Sequence, residues 1–127
     1  MKRRAFIVGA AFLGIDLTAP EAFAAAPGAA ETMLSILGDR KAAAAFGAVW
    51  LVQGTRQPDA VLAALQARLR KLGWMGEAEA DHLRGLFNAA VADDYRTGSM
   101  VTVDGWLVAE SQAELCALAY FDRENRL

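Results

Sequence analysis

Apolar residues recur along this chain at helical spacing over most of its length and alternate only near the end. Glu31 to Leu37 reads as a short helix stopped by Gly38. Asp39 is placed to cap a second helix running to about Gln53, with Ala43, Phe46, Val49, Trp50 and Leu51 on its apolar face and Gly54 at its end. Pro58 suits the first turn of a third helix. Leu62, Leu65, Leu69 and Leu72 form its seam, the cations Arg68, Arg70 and Lys71 fill its last turn, and Gly73 closes it. A fourth helix is expected over Glu77 to Tyr95, with Leu83, Leu86, Phe87, Ala90 and Val91 as its buried stripe and acids in its first turn.

The pattern then changes. Met100 to Val103 and Trp106 to Val108 are short extended runs, and Asp104-Gly105 between them is a preferred pair for a two-residue type I′ turn. An isolated hairpin is marginal, so this one is expected to lie against the helices with Trp106 as its anchor. Ser111-Gln112-Ala113-Glu114 has the spacing of a capping box, in which Ser111 and Glu114 satisfy each other's backbone N–H groups. Leu115, Leu118, Ala119 and Phe121 follow as a buried face, and Asp122 to Leu127 is expected to fray. The predicted fold is mainly α: a small bundle of four to five helices with one short C-terminal β-hairpin at 100–108, in a single domain over 31–121.

The first 24 residues carry a different pattern. Lys2, Arg3 and Arg4 precede an apolar run from Ala5 to Ile15, too short for the ~20 residues of a membrane span. Ala22-Phe23-Ala24 offers a small-x-small cleavage site, with the cut expected after Ala24. Arg3-Arg4 followed by Phe6 resembles a twin-arginine signal, although no Ser or Thr precedes the pair and Asp16 interrupts the apolar run, so general secretion stays open. Residues 25–30 read as a flexible lead. The chain is expected to be periplasmic or otherwise exported, at the outer face of the inner membrane, with membrane association only through a partner or an uncleaved signal.

Composition narrows the chemistry. Hydrophobic residues make up 55 % of the 127, and the formal net charge is −2 with the two signs interspersed. No basic stripe tracks a phosphate backbone, so no nucleic-acid partner is expected. One cysteine, Cys116, and one histidine, His82, cannot build a structural zinc site, a CxxCH haem site or an iron–sulfur cage from this chain alone. Cys116 is expected to be a core thiol, with a reactive or intermolecular thiol as the other reading. His82 reads as a solvated helix-face residue. Asp93 and Asp94 sit at the negative end of the fourth helix, an unfavourable place that Arg96 or a basic partner surface would relieve; they are expected to be solvated. Trp50, Trp74 and Trp106 read as packing residues before a cofactor platform. No GxGxxG, P-loop, GxSxG or HExxH motif occurs.

Arg3-Arg4, Leu83 to Asp94, Val101-Thr102-Val103 and Glu114 to Phe121 together resemble the small helical subunits of membrane-bound, flavin-dependent sugar and polyol dehydrogenases of the sorbitol, fructose, gluconate and glucose types. The family's aromatic pair in the penultimate helix is replaced here around Leu86-Phe87-Asn88. Val103-Asp104-Gly105-Trp106 with Leu115-Cys116-Ala117-Leu118 also resembles short exported bacterial proteins of unassigned function. The dehydrogenase resemblance implies a cofactor-free accessory subunit. FAD would sit in a large catalytic partner, and a haem subunit would carry electrons onward. Trp106, Asp93, Asp94 and Tyr95 are then the candidate docking residues. Two rival readings remain: a periplasmic helical domain binding a small apolar ligand, and a small hydrolase using Cys116 or the Asp93/Asp94 pair.

Overall fold

A computed structural model describes residues 28–127; Arg3, Arg4, Phe6, Ala22 and Ala24, on which the expected export signal rests, lie outside them. Five helices and one hairpin follow in the order α1 (Ala29–Leu34), α2 (Arg40–Gln53), α3 (Pro58–Lys71), α4 (Ala80–Thr97), β1 (Met100–Val103), β2 (Trp106–Ala109) and α5 (Glu110–Arg123). The fold is mainly α, as the apolar periodicity predicts.

Capping residues set most boundaries. The Asp39 carboxylate accepts from the Ala42 N–H and opens α2. Pro58 occupies the first turn of α3. The fourth helix starts three residues later than its acidic run suggests, because Glu77 serves the loop and Glu79 the cap. Glu77 accepts from the Met75 N–H, its carbonyl takes the Trp74 indole N–H, and Glu79 caps the helix through the His82 N–H.

Helix α5 is the centre of the molecule. It packs against α1, α2, α3, α4 and both strands, most extensively against α2. Its Ala113, Leu115, Ala117, Leu118, Ala119 and Phe121 are all buried, so its apolar surface extends well beyond a single stripe. Trp50, Trp74, Met33, Leu34, Leu65, Leu69 and Leu83 close around it. The α2–α5 contact is close enough to require glycine. A Cβ on Gly47 would lie 2.3 Å from the Cys116 carbonyl oxygen and 2.7 Å from the Ala117 nitrogen.

The C-terminal end departs from the expected fraying. Helix α5 runs through Asp122 and Arg123 and closes with Asn125 at φ 56°. The Asn125 N–H donates to the Asp122 carbonyl at 3.0 Å and the Arg126 N–H to that of Phe121 at 2.8 Å, the paired bonds of a Schellman closure. At the other end, α1 already includes Ala29 and Ala30, and Ala29 is buried.

The strands pair antiparallel, Val103 opposite Trp106 and Met100 opposite Ala109. Asp104 (φ 50°) and Gly105 (φ 85°) both take the positive φ that a type I′ turn demands. The anchor is not Trp106. Val103 and Ala109 are fully buried, whereas Trp106 is 70 % and Leu107 62 % exposed. Trp106 faces Val103 across the ladder and still remains exposed. At the hairpin's outer edge, the Thr102 carbonyl accepts from the Gln53 side-chain amide at 2.8 Å.

Candidate functional site: a buried charged corner and an exposed hairpin tip

Two regions collect the polar and aromatic residues singled out in the sequence. The first lies where α3 and α4 meet the start of α5. Arg68 from α3 faces three carboxylates. Its Nη1 donates to Asp94 Oδ1 at 2.9 Å and its Nη2 to Glu110 Oε1 at 2.8 Å. Glu114 is held less directly: Arg68 Nε lies 3.0 Å from its Oε1 without lining up for a hydrogen bond, and Nη2 reaches Oε2 at 3.4 Å. Asp94 and Glu114 are buried, and Arg68 and Glu110 retain about a third or less of their exposure.

This corner corrects two sequence readings. Asp94 is not solvated: it is 2 % exposed, and Arg68 supplies the cation that its place at a helix C-terminus calls for. Asp93, one residue earlier, is half-buried and pairs with Arg96, one of the two cation sources considered for it. The Ser111–Glu114 capping box does not form either. Ala109, buried at the end of β2, keeps the chain extended, and α5 starts at Glu110, so Ser111 lies inside the first turn. Ser111 and Glu114 are both drawn to the charged corner instead. The Ser111 N–H donates to Asp94 Oδ2 at 2.8 Å, while the Ala109 N–H is taken by Gln112 Oε1 at 3.0 Å. The cap is therefore shared between Gln112 and a carboxylate from the neighbouring helix. Negative charge at this helix start is also favoured by the α5 dipole.

Electrostatically the corner is overloaded, with three acids and one guanidinium. Burial pushes the Glu114 carboxyl up to about 7, and the charges of Glu110 and Asp94 add to the rise that Arg68 opposes. Burial works against the Arg68 charge too, but the carboxylates outweigh it and hold its pKa above the ordinary guanidinium value.

Within the corner Asp94 is fully engaged, while Glu114 keeps Oε1 without a hydrogen bond. Both Asp94 oxygens are occupied, one by Arg68 and one by the α5 backbone. Cys116 is half-buried against α2, and burial raises its thiol to about 11, so it is not a thiolate at neutral pH. His82 is exposed on α4, 3.8 Å from Glu77. Among the described residues no group of three or more His, Cys, Asp or Glu side chains is arranged to hold a metal ion.

The second region is the hairpin tip. Trp106 and Leu107 stand out from the fold beside the Asp104-Gly105 turn, and Tyr95 on α4 is 55 % exposed. Trp50 and Trp74 are buried in the core, so the three tryptophans do not form one platform. Sequence reasoning offered Trp106 both as the hairpin's anchor and as a docking residue, and its exposure removes the first of these. It missed Arg68 as the organiser of the corner, although two acids at one helix end signalled that a cation was required.

Among the described residues, no helix is long and apolar enough to cross a membrane. No family model matches the chain, and comparisons with curated proteins and with solved structures return no match.

Proposed function

We propose that this chain is a non-catalytic, exported accessory subunit that docks on a larger redox partner of the flavin dehydrogenase kind through the tip of its hairpin. The observation that carries this reading is the exposed Trp106–Leu107 pair. A tryptophan and a leucine held in solvent on a short hairpin contribute little to the core, and burying them against another protein supplies binding free energy instead. The turn that presents them is set by its own residues, so the tip is shaped before any partner arrives.

Three further points support the reading. The twin-arginine-like start suits a protein that folds before export. The charged corner spends its acids on holding α3, α4 and α5 together and leaves no free Asp94 oxygen for acid–base work. The resemblance to dehydrogenase small subunits points to the same role, with FAD held by the partner.

The test is recovery of the C-terminally tagged chain from the periplasm under native conditions, with mass spectrometry and flavin absorbance of the eluate. A stoichiometric flavoprotein is expected. A monomer recovered without a companion overturns the proposal.

A further inference from the structure

An open pocket of about 220 Å³ lies between the C-terminal half of α2 and the C-terminal end of α5. We propose that it binds a small organic anion, a carboxylate on an apolar body, with the head group held by Arg56 and Arg126.

Both guanidiniums line the pocket, and both are laid over buried rings. The Arg56 guanidinium carbon sits 4.1 Å from the centroid of the Trp50 ring, and that of Arg126 sits 4.9 Å from the Phe121 ring. The Gly54 carbonyl accepts from Arg56 Nη1 at 3.1 Å, and the Schellman closure of α5 fixes the Arg126 backbone. Stacking on a ring holds a guanidinium's plane while leaving N–H groups along its edge for an anion, a task a flexible lysine does less well. Among the described residues neither arginine has a carboxylate within 4 Å, whereas Arg40, Arg68, Arg84, Arg96 and Arg123 each meet one. The nearby acids are committed elsewhere, Asp122 toward Arg40 and Glu124 to Arg123.

The remaining lining gives the ligand its body. Ala48, Leu51 and Val52 supply an aliphatic wall, and no acidic side chain lines the pocket. Binding sites for drug-sized molecules span roughly 300–1,000 Å³, so this pocket suits a smaller ligand that stays partly in solvent. A bare inorganic anion would leave the aliphatic wall unused, and a neutral apolar molecule would leave both guanidiniums unused.

Calorimetric titration of the full chain with octanoate tests this, with octanamide and acetate as the body-only and head-only probes. Octanoate is expected to saturate a single site and to bind about tenfold or more tighter than either control, as charge-assisted hydrogen bonds and apolar burial add. Arg126→Gln is expected to weaken octanoate by about fivefold or more, and Val52→Glu, which sets a carboxylate in the lining, to abolish saturation. Both side chains are exposed, so the fold is retained, which circular dichroism checks. Octanoate binding no tighter than octanamide or acetate overturns the proposal. So does unchanged affinity in both folded variants.

Discussion

The charged corner and the hairpin tip invert the usual arrangement of a small domain. Four ionisable side chains converge where α3, α4 and α5 meet, two of them buried, while a tryptophan and a leucine stand in water a few residues along the same chain. The two regions are joined by β2, which begins at exposed Trp106 and ends at fully buried Ala109. The difference separates residues that serve the fold from residues that do not. The acids are inside because the start of α5 needs partners for its backbone N–H groups and Arg68 needs counter-charges. The aromatic tip is outside because the turn places it there, with no contribution to the core.

The largest expected effect comes from removing the one cation of the corner. Arg68→Met leaves three carboxylates facing one another, and losing one partner of a buried ion pair costs about 3–5 kcal/mol. The lower end applies here because Arg68 keeps some solvent contact. Urea unfolding at pH 8 measures it. A loss below about 1 kcal/mol would show that the corner is not what orders α5.

Next is pH. Glu114 titrates near 7 in the fold, against an ordinary carboxyl value of 4.5 when unfolded. The folded chain therefore binds the extra proton, and its contribution to stability is full below pH 4.5 and lost as pH rises through 7. The size is at most about 3 kcal/mol. Glu114→Gln mimics the protonated form, so the difference between wild type and variant is expected to grow from pH 5 to pH 8. A constant difference would mean that Glu114 is already ionised in the folded protein at pH 5.

At the tip, Gly105→Val forces a β-branched residue to φ 85° and is expected to cost about 1–3 kcal/mol, read as lost amide protection across β1 and β2. Unchanged protection would show that the turn is not fixed by its own residues.

The comparison also marks what the sequence makes legible. Helix identity, the Asp39 cap, Pro58 in the first turn of α3 and the Asp104-Gly105 turn are local signals, and each appears where its residues predict. The corner is different because it is built from residues 26 to 46 positions apart. Spacing within one helix cannot reveal that Arg68 meets Asp94, Glu110 and Glu114. The same spacing actively misled at Ser111 and Glu114, where a correct-looking capping motif sits two residues too late to cap. The clue that was present was a misfit: two acids at the negative end of α4 imply a cation from elsewhere in the fold. Trp106 shows the converse limit. Its pairing with Val103 follows from the hairpin register, but whether the bundle extends far enough to cover it depends on tertiary geometry.

The central claim is that the tip is there for a partner and not for the fold. The most direct measurement compares wild type with the Trp106→Ser/Leu107→Ser double variant in two readouts, the thermal midpoint of the purified chain and the amount of the proposed flavoprotein partner recovered with it from a periplasmic extract. Substitutions at exposed positions that serve no fold contact change stability by about 0.5 kcal/mol or less, so an almost unchanged midpoint is expected. Recovery of the partner is expected to fall at least tenfold, because an exposed aromatic anchor of this kind is worth about 2 kcal/mol or more in an interface. A variant that melts far earlier, or one that still brings down the proposed flavoprotein partner in full, would contradict the account.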